Sequence, residues 1–172
     1  MSLKVDVGDA LPSVGLRATD GYLLNLRSFV TKQPAVLVFF AAPTAAGAAK
    51  RRGLKTVEAM VAGHERLREA GIATAGITTD SERQQADFAA KHELPFLLLS
   101  DERLSAISVL GVETAAVGEN VNVARPLALV VDTDGFLRLI LDPVEPDALV
   151  DLTIRALSEP LPAVTGGAST PG

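Results

Sequence analysis

Eight consecutive apolar residues at positions 35–42, AVLVFFAA, constrain the fold of this chain more than any other feature. The run is far shorter than the roughly 18–20 apolar residues that a membrane-spanning helix needs. It also lacks the apolar and polar alternation of a strand with one wet face, so it predicts a strand buried on both faces of a sheet. Such a strand needs covering layers on both sides, which indicates an α/β fold.

Helical and strand-like patterns alternate along the rest of the chain. Residues 45–70 favour a helix because apolar side chains recur every three or four positions, but Gly53 and Gly63 predict a break or kink. The other predicted elements are strands at 16–19 and 23–26 around Asp20-Gly21, a strand at 72–78, a helix with a T-x-x-E capping box from Thr79 to Glu82 that ends near His92, a strand at 96–99, a helix capped by Ser100-Asp101 that runs to Leu110, strands at 127–131 and 136–141, and a final helix opened by Glu145-Pro146-Asp147.

This order of elements predicts a three-layer α/β/α sandwich with a mixed central sheet and an N-terminal β-hairpin. Residues 1–158 are expected to form one domain, since about 100–200 residues is the usual size. Residues 159–172 are rich in Pro, Gly and Ser and are expected to form a disordered tail.

The composition excludes several classes of function. The chain contains no cysteine, which rules out disulfides, thiolate metal sites and a cysteine nucleophile. A formal net charge of -5 argues against nucleic-acid binding. Because we find neither a signal peptide nor a membrane helix, a cytoplasmic protein is expected. No pattern predicts a cofactor, and His64 and His92 stand on separate predicted helices, so no metal site is expected.

Several segments, in the right order, resemble peroxiredoxins of the alkyl-hydroperoxide-reductase and thiol-specific-antioxidant type, AhpC/TSA. They are GDALP at 8–12, DG at 20–21 with L-x-x-F after it, LVFF at 37–40, AGITTDS at 75–81, LPFLLLSD at 94–101 and RPLALVVDTDG at 125–135. The resemblance is nearest to the bacterioferritin-comigratory-protein branch. It implies a thioredoxin fold and, by default, reduction of hydroperoxides by a peroxidatic cysteine at the start of the helix after the central strand.

The loop that carries this cysteine in the family, P-x-x-x-T-x-x-C, lacks its functional residues in this chain. An ungapped alignment places Ala42 at the proline, Ala46 at the threonine and Ala49 at the cysteine. Starting the motif at Pro43 places Gly47 and Lys50 at the last two positions instead. A thioredoxin-like C-x-x-C alignment places Thr44 and Gly47 at the thiols. None of these alignments supplies sulfur.

The arginine of the family site is displaced as well. Pro126 stands at its position, where thioredoxins carry a cis-proline, and Arg125 lies one residue earlier. Because a shift of one residue along a strand reverses its face, Arg125 is expected to reach the pocket only if Pro126 bends the chain.

The remaining polar residues near the loop have ordinary interpretations. Thr44, after Pro43 and before a helix, is interpreted as an N-cap. Lys50, Arg51 and Arg52 are interpreted as a solvated basic face, with an anion or an acidic partner as the alternative.

We therefore expect a cysteine-less peroxiredoxin-like protein that has lost thiol peroxidase activity and has a binding or interaction role. The alternative is a thiol-dependent hydroperoxide reductase whose cysteine was replaced artificially, for example by Ala49. A non-thiol enzyme using Thr44, Lys50 and Arg125 is a third option. The expected partners are a second copy of the chain in a homodimer, and a protein or small ligand at the vacated pocket.

Overall fold

The computed structural model describes residues 3–41, 45–117 and 120–159 of the chain. The strands within these residues are β1 (Gly15–Ala18), β2 (Leu23–Asn25), β3 (Ala35–Phe39), β4 (Ala73–Thr78), β5 (Leu97–Ser100), β6 (Thr114–Val117), β7 (Asn120–Ala124), β8 (Leu127–Val131) and β9 (Leu137–Leu141). The helices are α1 (Leu26–Phe29), α2 (Gly47–Glu69), α3 (Glu82–His92), α4 (Ser105–Leu110) and α5 (Pro146–Ser158).

Seven strands form one mixed sheet in the order β2-β1-β5-β4-β3-β8-β9. The predicted central strand is β3, in which every residue is buried. It pairs in parallel with β4 and antiparallel with β8, while β1 and β2 form the N-terminal hairpin. The mixed sheet and the hairpin confirm the prediction from the sequence.

Helices cover both faces of this sheet. On one face Leu37 and Phe39 of β3 pack in a core with residues of α1 and α4. On the other face Val36 and Val38 pack in a core with residues of α2, α3 and α5, including Met60, which is 1% exposed. The predicted three-layer α/β/α sandwich is thus confirmed. Every helix in the described ranges is too short or too polar to span a bilayer.

Helix α2 is continuous across both of its glycines, so the predicted break at Gly53 or Gly63 is wrong. A Cβ atom at Gly53 would lie 1.9 Å from the carbonyl oxygen of Ala41, and one at Gly63 would lie 2.3 Å from Cγ2 of Val150. The two glycines therefore allow α2 to approach the end of β3 and helix α5 closely. Close packing outweighs the cost of about 1 kcal/mol that each glycine imposes on a helix.

The capping box of α3 lies two residues later than predicted. Ser81, not Thr79, accepts from the amide of Gln84, and the Gln84 side chain accepts from the amide of Ser81. Thr79 instead donates its hydroxyl to the carbonyl oxygen of Asn122 in β7. The end of β4 is thereby linked to the β6–β7 hairpin.

Of the predicted cap Ser100-Asp101, only Asp101 bonds the amides of α4, whereas the Ser100 hydroxyl donates to the carbonyl oxygen of Asp80. The Asp101 carboxylate accepts hydrogen bonds from the amides of Ser105, Ala106 and Ile107, although the helix itself begins only at Ser105. Asp101 is 1% exposed. Burial raises the pKa of Asp101, and the three amide bonds lower it by less.

Other predicted boundaries change by a few residues, and one hairpin was not predicted. The strand predicted at 23–26 ends at Asn25, because the Asn25 side chain caps α1. The strand predicted at 35–42 ends at Phe39. Strands β6 and β7 form a separate two-stranded ribbon. Residues 160–172, the rest of the predicted tail, lie outside the described residues.

Candidate functional site

A cavity of about 220 Å³ lies where α2 begins, beside the end of β3 and the β6–β7 ribbon. Each of these elements supplies one wall, and the segment between β7 and β8 supplies a fourth. The lining residues are Phe40, Ala41, Ala49, Arg52, Gly53, Thr56, Glu113, Thr114, Ala115, Val123, Ala124, Arg125 and Pro126. Most of these side chains are apolar or small, so the walls are chiefly hydrocarbon.

The α2 wall follows directly from helical periodicity. Ala49, Arg52, Gly53 and Thr56 are spaced by three and four residues, so they share one face of α2. Thr56 is 2% exposed and donates its hydroxyl to the carbonyl oxygen of Arg52 at 3.1 Å. The hydrogen bond uses the Arg52 carbonyl and not its side chain. The Arg52 guanidinium is therefore the charged group of the α2 wall.

The structure places the predicted loop positions in different environments. Three of the predicted positions, Ala42, Pro43 and Thr44, lie outside the described residues. The interpretation of Thr44 as an N-cap therefore stays a prediction, while the N-cap position of α2 in the structure is Ala46. Ala46, Gly47 and Lys50 are exposed, while Ala49 is half-buried. Of Gly47, Ala49 and Lys50, which are all described, only Ala49 lines the cavity. Lys50 lies beside a separate depression between α2 and α3.

Arg125 and Pro126 both line the cavity, because they belong to the irregular segment before β8 and not to the strand itself. The cis peptide bond in the described part of the chain precedes Pro143, so Pro126 is not the cis-proline of a thioredoxin. The exposed Arg125 side chain lies beside two carboxylates. Its Nε donates to Asp142, and its Nη1 lies 3.6 Å from Oε1 of Glu113. The hydrogen bond to Asp142 raises the pKa of Arg125.

Sequence reasoning did not place four polar lining residues at the pocket, namely Arg52, Thr56, Glu113 and Thr114. The helical spacing from Ala49 could have identified Arg52 and Thr56, but Arg52 was interpreted as part of a solvated basic face. Glu113 and Thr114 lie at the cavity because the pairing of β6 with β7 brings them beside the segment before β8, where the amide of Arg125 donates to the carbonyl oxygen of Glu113 at 2.8 Å.

The described lining residues offer no nucleophile of the thiol class and no imidazole. His64 and His92 lie elsewhere, where their rings contact Phe96 and Phe88 respectively. No group of three or more potential metal ligands occurs among the described residues. What the cavity can do with its present side chains is bind an apolar group and contact a polar one at the arginines.

Comparisons with known proteins agree with this geometry. A profile of the AhpC/TSA family matches residues 7–140. The chain is 32% identical over 155 residues to the chloroplastic peroxiredoxin Q of Populus jackii, which covers 90% of this chain and 68% of that protein. It is 27% identical over 154 residues to peroxiredoxin Bcp of Escherichia coli, which covers 88% of this chain and 95% of that protein.

Solved structures show the same fold. The crystal structure of peroxidoxin BcpB from Mycobacterium tuberculosis superposes with a TM-score of 0.76 and 24% identity, over 88% of this chain and 96% of that one. The bacterioferritin comigratory protein of Xanthomonas campestris superposes with a TM-score of 0.71 and 18% identity, over 91% and 98%. At these identities the structures establish the fold alone.

Proposed function

Because this chain belongs to the AhpC/TSA family of peroxiredoxins and contains no cysteine, we propose that it has lost thiol peroxidase activity and binds a small ligand in the cavity at the start of α2. The observation that carries the proposal is Ala49. In the ungapped alignment this residue stands at the peroxidatic cysteine, and it lines the cavity, which supports a binding role for the cavity without the sulfur.

The loss of activity follows from the chemistry of the family reaction. A thiolate attacks one peroxide oxygen, the O–O bond breaks, and the sulfur is oxidised to a sulfenic acid. A methyl group at Ala49 has no lone pair to attack and cannot be oxidised in this way. The supporting groups are also replaced: the family threonine position is Ala46 in the ungapped alignment and Gly47 in the alignment from Pro43, and Pro126 stands at the family arginine.

A binding role is supported by the shape and lining of the cavity. Small-molecule sites are concave and mostly apolar, with a few polar groups that orient the ligand. This cavity has apolar walls from Phe40, Val123 and Ala124 and arginines on two sides. Its volume of about 220 Å³ is below the roughly 300–1,000 Å³ of drug-sized sites, so a ligand of few heavy atoms fits best.

Peroxide consumption tests the first half of the proposal. The purified protein is mixed with hydrogen peroxide or an organic hydroperoxide and a thiol reductant, with an active Bcp-type peroxiredoxin as positive control. We expect no consumption above the protein-free rate. Consumption at the rate of the control would contradict the loss of activity.

Cavity filling tests the second half. Ala49→Leu places a larger side chain in the cavity, and Ala48→Leu makes the same change at the neighbouring exposed position. Ligand-observed NMR against a library of small organic molecules should give hits that Ala49→Leu abolishes and Ala48→Leu keeps. Hits that survive in both variants would place binding elsewhere.

A further inference from the structure

We propose that the cavity ligand is a small organic carboxylate, whose charged group meets Arg52 and whose apolar part occupies the hydrocarbon walls. This inference rests on the proposed binding function and specifies its ligand class. Three observations carry it: the charge pattern of α2, the unequal pairing of the two arginines, and the apolar lining opposite Arg52.

Helix α2 opens with an unusual concentration of positive charge. Lys50, Arg51, Arg52 and Lys55 occur within six residues, and Glu58 is the first acid of the helix. Cations are unfavourable near a helix N-terminus, and like charges four residues apart, as in Arg51 and Lys55, repel. None of the four makes an ion pair with a described residue. The arrangement weakens the helix without an internal partner, and an anionic ligand would offset that cost.

The two arginines of the cavity differ in their availability. Arg125 donates to Asp142, which neutralises its charge, and Oε1 of Glu113 lies 3.6 Å from its Nη1. Arg52 has no such partner in the described part of the chain. An anion entering the cavity therefore gains less from Arg125, which is already paired, than from Arg52 on the α2 wall. The two ends of the cavity thus differ in available positive charge, so the negatively charged end of a ligand should face Arg52.

The rest of the lining requires that the ligand also carry an apolar part. Phe40, Val123 and Ala124 are buried at 1%, 6% and 3% exposure, and with Ala49 they surround the space with hydrocarbon. A fully hydrated inorganic anion gains nothing from these walls, because apolar burial stabilises only apolar surface. A carboxylate with a short chain satisfies both parts of the site. A guanidinium also matches a carboxylate in geometry, with two parallel hydrogen bonds.

The test compares hexanoate with hexanamide, which has the same size and shape without the charge, and with inorganic phosphate, which has charge without an apolar part. Affinities are measured by isothermal titration calorimetry or NMR titration at low ionic strength. We expect hexanoate to bind about tenfold more tightly than hexanamide, and phosphate not to bind detectably. Arg52→Gln should abolish the preference, and Arg52→Lys should restore part of it.

Arg51→Gln is the matched control, since it changes the net charge equally at a neighbouring residue outside the described lining. It should keep the preference for hexanoate. Equal binding of hexanoate and hexanamide by the unmodified protein would overturn the carboxylate inference and leave the binding function intact. Phosphate binding as tight as that of hexanoate would also overturn it. If neither organic compound binds and the library screen gives no hit, the proposed binding function itself fails.

Discussion

Replacing Gly53 by alanine tests whether close packing against the chain after β3, and not helix propensity, explains why position 53 is a glycine. The new Cβ would lie 1.9 Å from the carbonyl oxygen of Ala41, whereas ordinary contact begins at 3.4 Å. The backbone must therefore separate by about 1.5 Å, the difference between these two distances. Overpacking in a core costs about 1–3 kcal/mol, and a clash with main chain lies at the upper end because no side chain can rotate away.

Alanine also improves helix propensity by about 1 kcal/mol over glycine. The net effect of Gly53→Ala is then a loss of about 2 kcal/mol in the free energy of unfolding. The assay is equilibrium urea denaturation followed by far-ultraviolet circular dichroism, since the chain has no tryptophan and one tyrosine. A variant that is more stable than the parent by the helix-propensity gain would refute the packing argument.

Gly63→Ala is the matched comparison, because its Cβ would meet a side chain, Cγ2 of Val150 at 2.3 Å. Val150→Ala removes this methyl group, so the two substitutions should compensate each other. We expect a favourable coupling energy of about 1 kcal/mol in the double-mutant cycle. Val150→Ala combined with Gly53→Ala should give no coupling, because Gly53 meets Ala41 and not Val150.

Three further predictions concern buried polar groups and the vacated site. Thr153→Val should raise the free energy of unfolding by about 1 kcal/mol, because the fully buried Thr153 hydroxyl has no hydrogen-bond partner in the described part of the chain. Thr78→Val should lower the free energy of unfolding, because the Thr78 hydroxyl accepts two hydrogen bonds. Urea denaturation of both variants distinguishes the cases. Burial raises the pKa of Asp101, so the native state holds this proton to higher pH than the unfolded state does. The free energy of unfolding, measured relative to Asp101→Asn, should therefore fall as the pH rises through the carboxyl range. A rise between about pH 4 and pH 7 in urea denaturation would contradict this sign. Ala49→Cys should consume peroxide at least about 100-fold more slowly than an active peroxiredoxin in stopped-flow assays, because the threonine and arginine of the family are still absent. The control, Ala48→Cys, should consume peroxide at the rate of a free thiol. An Ala49→Cys rate equal to that of the active enzyme would show that the threonine and arginine are dispensable.

The sequence predicted the sheet and its layers because their signals are local and strong. The apolar run at 35–42, the Asp20-Gly21 turn and the capping of α4 by Asp101 each depend on nearby residues. The predicted break at Gly53 was wrong because glycine is needed there for close contact with the carbonyl oxygen of Ala41. Ala41 lies outside helix α2, so helix propensity gives no sign of this contact.

The β6–β7 ribbon was not predicted: the small residues of β6, TAAV, give no strand pattern, and the alternation of Asn and Val in β7, NVNVA, spans only five residues. The same limit applies to the site. Alignment with the family identified Ala49 and Arg125, but the ion pairs of Arg125 with Asp142 and Glu113 join segments that only the fold brings together. Arg52 was within reach of helical spacing, yet its exposure among other cations favoured a solvated interpretation.

The burial of Met60 has a consequence for the conditions under which this protein can act. With no cysteine in the chain, its two methionines are its only sulfur atoms, and Met60 is sealed within the core. Peroxide therefore finds no accessible sulfur on the described surface, while thiol-bearing relatives are converted to sulfenic acids or disulfides. The described lining of the cavity contains no sulfur, so peroxide leaves these side chains without the thiol oxidation that would alter a cysteine-bearing site.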